Sequence, residues 1–297
     1  MSTTTDFATL IAQQRASWQK SDDARDDGLP EQLSSVERLT RLAYGPEPFW
    51  QELELDLPKD GHQPFPVIVN VHGGGWIYGT IQTYLFYCLH LAENGFAVVN
   101  FNYRLAPQVQ FPGELDDVDR VMHWLVAHAS DYHLDLDHVF LVGDSAGGQM
   151  VEQYLAVLTN PDYRQFFAYQ KPELTVRAAA LNCSACFMLM PQMITGTTKA
   201  YFTSKVLKTH RESLDTETYL TPELPPLFLL TANQDFLRNQ LFRLDGYLTA
   251  KKIRHRLAYF GTEADPRGHV FHIDQKDPLA KQANQEELDF FKTYLNN

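Results

Sequence analysis

Short continuous apolar runs recur along the chain, separated by stretches with helical spacing. Residues 66–71, 97–101, 139–142 and 227–230 are rich in β-branched or aromatic residues, and polar or glycine-containing sequence follows each run. Runs of this kind suit strands buried on both faces of a parallel sheet. Between them, Leu115, Val118, Met122, Leu125 and Val126 form one stripe over residues 115–129, and residues 146–158 and 236–251 repeat that spacing. Strands alternating with helices predict right-handed βαβ units and a mostly parallel central sheet flanked by helices. Ahead of these units, residues 51–57 alternate polar and apolar, which predicts a half-exposed antiparallel strand at the sheet edge.

Two segments stand apart from this alternation. Residues 1–45 predict a helix through Phe7, Leu10, Ile11, Gln14 and Trp18, then a charged turn, then a second short helix over 34–42. Residues 184–224 carry Met188, Met190, Met193, Tyr201, Phe202 and Tyr219. Both fit a small helical cap over a site, and both equally fit ordinary packing against the domain. The expected organisation is an α/β catalytic domain over 46–297, with 1–45 as an N-terminal helical cap segment to which 184–224 contributes.

Two glycine-rich stretches carry candidate chemistry. In Gly143-Asp144-Ser145-Ala146-Gly147, a serine follows the run at 139–142 and opens a helical stretch. A serine hydroxyl is a poor nucleophile unless it is held exposed beside a base. A sharp strand-to-helix turn exposes it, and such a turn needs tiny residues at Gly143 and Gly147. A phosphate loop would want a lysine after its glycines, and none follows here. The second stretch, His72-Gly73-Gly74-Gly75-Trp76, also follows a strand-like run. Triple glycine lets backbone N–H groups approach a substrate carbonyl and stabilise the negative charge of acyl transfer. That chemistry requires two or three donors from this region without choosing among the glycines, and His72 suits a role in fixing the loop.

Together these motifs resemble the hormone-sensitive-lipase-like family of α/β-hydrolase esterases. That family pairs His-Gly-Gly-Gly with Gly-Asp-Ser-Ala-Gly-Gly at about the separation seen here, 73 residues from His72 to Ser145. Asn102-Tyr103-Arg104-Leu105-Ala106-Pro107, Phe111-Pro112 and Glu114-Leu115-Asp116-Asp117 are similar to its linking stretch. The resemblance implies an α/β-hydrolase fold, with Gly74, Gly75 and Ala146 as oxyanion donors and chain order serine, acid, histidine. It places the acid at Asp235, after the strand-like run at 227–232, with Asp265 as the alternative. Phe236 and Asn239 depart from the family's Asp-Pro-Leu-x-Asp/Glu there. The base falls at His269 in Gly268-His269-Val270-Phe271, where Val270 replaces a family glycine; His272 competes for the role.

The implied activity is a serine carboxylesterase acting on short- to medium-chain esters through an acyl-enzyme, with no metal or organic cofactor. An arylformamidase or amidase on the same fold is the alternative, and a non-catalytic small-molecule receptor is disfavoured because all three triad residue types are present. Bulk properties narrow the partners. A formal charge of -12 argues against nucleic acid or an anionic membrane surface. No run of about 18 apolar residues predicts a membrane span, and residues 1–20 lack the order of a secretory signal. Three cysteines, an odd number, fit a cytoplasmic protein. Cys183 and Cys186 have the spacing of half a zinc site, but without a second pair they read as buried thiols. A homo-oligomer is expected from the resemblance alone.

Overall fold

The structure is a computed structural model that describes residues 6–295, so the first five residues of the N-terminal segment lie outside it. Its strands are β1 (Val36–Ala43), β2 (Glu52–Pro58), β3 (Phe65–Val71), β4 (Ala97–Phe101), β5 (Leu134–Asp144), β6 (Val176–Asn182), β7 (Leu227–Ala232) and β8 (His255–Phe260). They form one sheet in the order β1-β2-β4-β3-β5-β6-β7-β8. β1 with β2 and β2 with β4 pair antiparallel; every later neighbouring pair is parallel. The α-helices are α1 (Phe7–Asp26), α2 (Ile81–Glu93), α3 (Gly113–Tyr132), α4 (Ser145–Thr159), α5 (Pro161–Arg164), α6 (Ser204–Thr209), α7 (Arg238–Ala250) and α8 (Pro278–Lys292).

The continuous apolar runs are explained by burial on both faces. Val67, Val69, Val99, Leu141 and Leu229 pack into a core with residues of α3, α4 and α7. Their neighbours Ile68, Val98, Phe140, Phe228 and Leu230 pack into a second core with α2 and α8. Each such side chain contributes about 1.5–3 kcal/mol on burial, so a polar residue in either register would be costly. Helix starts follow local chemistry. Asp277 caps α8 by accepting the Leu279 N–H at 3.0 Å, with Pro278 in the first turn. Among the described residues, no helix is long and apolar enough to cross a membrane.

Two sequence expectations need correction. The helix predicted over 34–42 is strand β1, which pairs with β2 and places residues 36–43 of the expected cap segment in the sheet. Valine, threonine and leucine in that stretch fit a pleated surface once β2 supplies a partner. β2 in turn is not the edge, since β1 covers it, and its polar positions are buried as well: Glu54 and Asp56 are 9% and 0% exposed. Arg38 of β1 pairs with Glu54 at 2.8 Å and stands 3.7 Å from Asp56, whose pKa burial raises to about 7. An alternating pattern therefore meant polar groups buried against Arg38 of the neighbouring strand rather than solvent.

Residues 184–224 contain α6 and two short 3₁₀ turns. Met188, Tyr201 and Phe202 are buried in the first core. The Thr197 hydroxyl donates to Gln14 Oε1 of α1 at 2.7 Å, so this segment and the N-terminal helix touch.

Candidate active site

β5 runs straight into α4, and Ser145 stands at the junction with φ 50°. A non-glycine residue in that region is held against steric cost, of order 1–3 kcal/mol. The turn is tight because Gly147 lies against β3: a methyl group there would collide with the Val71 carbonyl oxygen. A side chain at Gly143 would likewise sit 2.5 Å from the Gly147 carbonyl. The small residues of the motif are thus required by close backbone approach.

His269 reaches the serine from the loop after β8. Its Nε2 lies 2.9 Å from Ser145 Oγ, and its Nδ1 lies 2.7 Å from Asp235 Oδ1. Asp235 follows β7 and is 3% exposed. Burial opposes its ionisation. His269, the Leu237 N–H and the Thr231 hydroxyl all stabilise the carboxylate, and together they hold its pKa below the ordinary value. The structure therefore brings Ser145, His269 and Asp235 into one hydrogen-bonded chain.

The competing residues lie elsewhere. His272 is buried, neither ring nitrogen has a hydrogen-bond partner, and the Tyr87 ring meets it edge-on at 5.4 Å. Burial, then the nearby His269, pushes its pKa down to about 3, so it is a neutral packing residue. Asp265 is paired with Arg267.

The glycine loop is tied to the elbow by a residue that sequence reasoning treated only as part of a motif. Asp144 Oδ1 accepts the Gly73 N–H at 3.0 Å, and Oδ2 accepts the Tyr84 hydroxyl at 2.8 Å. The Tyr84 hydroxyl itself accepts from Gly73 N–H at 3.0 Å. Burial raises the Asp144 pKa to about 6. His72 is buried, stacks on Tyr103 at 3.9 Å, and places Nδ1 2.8 Å from the Gly73 carbonyl oxygen. Burial drives its pKa down to about 4, which suits a fixed neutral ring. Gly74 and Gly75 both have positive φ, 121° and 59°. The Gly73 amide is committed to Asp144 and Tyr84. Ala146 is the second residue of α4, and first-turn amides have no acceptor within their helix. Trp18 of α1 covers this loop: a methyl on Gly75 would sit 3.6 Å from its indole. Arg15 of the same helix donates to the carbonyls of Ile77 and Ala106 at 2.5 and 3.0 Å.

Cys183 also belongs to the neighbourhood. Its thiol accepts the Val270 N–H at 3.4 Å, and ligand atoms of Cys183, Asp235 and His269 lie within 4.8 Å of one another. Nδ1 and Oδ1 are 2.7 Å apart, a hydrogen-bond distance, closer than the roughly 3.3 Å that ligands about 2.0 Å from a tetrahedral ion keep from one another. The sequence flagged Cys183 only for its spacing to Cys186, and the structure places it as a buried free thiol.

A mostly parallel sheet with a serine elbow after β5, and an acid and a histidine on the loops after β7 and β8, defines an α/β-hydrolase. The chain belongs to the BD-FAE family, whose model matches residues 53–239. It is similar to the probable carboxylic ester hydrolase LipM of Mycobacterium tuberculosis, 29% identical over 63% of this chain and 44% of that protein. It is also similar to the versiconal hemiacetal acetate esterase of Dothistroma septosporum, 41% identical over 32% of this chain and 29% of that protein. The chain thus spans less than half the length of these curated relatives. Esterase B from Lactobacillus rhamnosis matches over the whole fold, with TM-score 0.84, 26% identity, and 97% of this chain and 96% of that one covered. It has also been solved inhibited with a tributyrin phosphonate.

Proposed function

We propose that this protein is a serine carboxylesterase hydrolysing short- to medium-chain carboxylic esters through an acyl-enzyme. The observation that carries the reading is the continuous chain Ser145–His269–Asp235, at 2.9 and 2.7 Å. His269 Nε2 takes the hydroxyl proton of Ser145 as Oγ attacks the ester carbonyl. Asp235, buried and held ionised, orients the imidazole and stabilises its charged form. Negative charge on the carbonyl oxygen meets the amides of Gly74, Gly75 and Ala146, with the N-terminal end of α4 adding its dipole. The alcohol leaves with the proton from His269. Water, deprotonated by the same imidazole, then hydrolyses the acyl-serine.

The short acyl range is supported by the tributyrin phosphonate on esterase B, whose fold this chain shares. A small-molecule ester is therefore the partner, in a cytoplasmic setting supported by the buried free thiols of Cys88, Cys183 and Cys186. Self-association follows from the resemblance alone, and light scattering at working concentration tests it. The decisive experiment measures hydrolysis of aryl esters from acetate to decanoate, N-formyl aryl amides in parallel, and labelling by an organophosphonate. Ester turnover with label on Ser145 is expected. Faster cleavage of the formamides would turn the reading to an arylformamidase. No turnover and no label would end the enzyme reading.

A further inference from the structure

Phe236 is the most exposed large apolar side chain among the described residues, at 75%. It is nonetheless placed at the site: its ring centroid stands 4.2 Å from that of His269, tilted by 43°. The backbone on both sides of it is fixed. The Asp235 N–H donates to Ala232 O at 3.1 Å, the Leu237 N–H to Asp235 Oδ1 at 2.9 Å, and the Arg238 N–H to Asp235 O at 3.2 Å. One face of the phenyl ring lies toward the imidazole and the rest is open to solvent, so an apolar group arriving beside His269 would find an apolar surface already in place.

The chemistry says what stands there. When the tetrahedral intermediate collapses, the ester C–O bond breaks and its electron pair goes to the alcohol oxygen. That oxygen takes the proton carried by His269 Nε2, which requires it within about 2.6–3.2 Å of that nitrogen. The first carbons of the alcohol are then beside the imidazole and within reach of the Phe236 ring. Trp18 stands instead over the oxyanion glycines. We propose that Phe236 is a specificity-determining residue whose open ring face receives the alcohol moiety, so that the site favours esters of aromatic or apolar alcohols. This deepens the serine-esterase reading above and rests on it.

The test compares kcat/KM for benzyl acetate and methyl acetate, which share an acyl group, in wild type, Phe236→Ala and Phe236→Tyr. Phosphonate titration of Ser145 normalises active sites. Phe236→Ala is expected to lower the benzyl-to-methyl ratio about 2- to 10-fold, the worth of one aromatic pair, and Phe236→Tyr to restore it. The ratio of methyl hexanoate to methyl acetate is expected to stay as in wild type, because it reads the acyl side. An unaltered benzyl-to-methyl ratio, or an equal fall for both esters, overturns the proposal and makes Phe236 a shield over His269. A wild-type protein that cleaves no ester overturns the esterase reading and this one with it.

Discussion

Asp144→Ala tests whether the serine elbow and the oxyanion loop act as one rigid unit. Wild-type Asp144 accepts from the Gly73 N–H at 3.0 Å and from the Tyr84 hydroxyl at 2.8 Å. Truncation leaves a buried hydroxyl without its acceptor and weakens the hold on Gly73. Each stranded polar group costs about 1–3 kcal/mol. An opposing effect of similar size exists. Burial lifts the Asp144 pKa from 3.8 to about 6, which at about 1.36 kcal/mol per unit means the ionised carboxylate costs roughly 3 kcal/mol at neutral pH. Removing it returns that cost, so melting temperature alone cannot decide the matter. The rate can. Outright loss of an oxyanion donor costs on the order of 10²- to 10³-fold; displaced donors cost less, about 10- to 100-fold in kcat, with KM little changed. Asp144→Asn keeps an acceptor for Gly73 and should retain most of the rate. The assay is steady-state hydrolysis of a short aryl ester, normalised by phosphonate titration. Wild-type kcat in Asp144→Ala would refute the tether, and an Asn variant as slow as the Ala variant would assign the effect to charge instead.

His269→Ala is expected to lower kcat about 10⁴-fold or more, whereas His272→Ala should lower the melting temperature and leave kcat near wild type; the reverse pattern in ester hydrolysis would exchange their roles. Gly147→Ala drives a methyl into the Val71 carbonyl oxygen, so loss of soluble protein or a large fall in melting temperature is expected, and a normal melt would show that the elbow can shift. Stability should fall from pH 7 to pH 8, followed by thermal melts. Burial raises Asp56, Glu217 and Glu287 to about 7 and lifts Glu114 and Glu152 well above the usual carboxyl range. The folded protein therefore holds protons there that the unfolded chain has lost, so raising pH favours unfolding. His72 and His272, lowered to about 4 and about 3, act oppositely, but above pH 7 an unfolded histidine is mostly neutral too. A melting temperature that rises across this interval would contradict the burial of these carboxyls.

What the sequence revealed and what it hid divide along physical lines. The parallel strands were legible because burial on both faces demands unbroken apolar runs, and the serine and glycine loops because close backbone approach admits few residue types. β1 was not, because Val36–Ala43 carries enough leucine and arginine to read as helix until β2 pairs with it. The alternation of β2 was visible but its meaning was not: Glu54 and Asp56 look solvent-facing unless Arg38, on another strand, is known to meet them. The histidine choice rested on local resemblance, and the geometry separates His269 from His272 by which ring reaches Ser145. Asp144 and Cys183 were hidden for a related reason, since each acts through a partner far away in sequence.

Those distant partners also explain how the site holds its strained backbone. Trp76, Ser145, Cys183 and Val270 all have positive φ, between 47° and 60°. They lie, respectively, after the glycine loop, at the elbow, after β6, and beside His269. For β-branched Val270 this conformation is a genuine outlier. Strain of about 1–3 kcal/mol per residue persists only where surroundings over-determine it. Here the Val270 N–H is anchored on the Cys183 thiol at 3.4 Å, and the Ser145 carbonyl accepts the Ala185 N–H at 3.0 Å. Val270 is therefore tied to Cys183, and Ser145 to Ala185 two residues further on, so the elbow, the segment after β6 and the His269 loop hold one another. A substitution that frees one should displace the others. Cys183 therefore touches the His269 loop through the Val270 N–H, and Cys183→Ala should loosen that loop without removing a group that reacts with the ester.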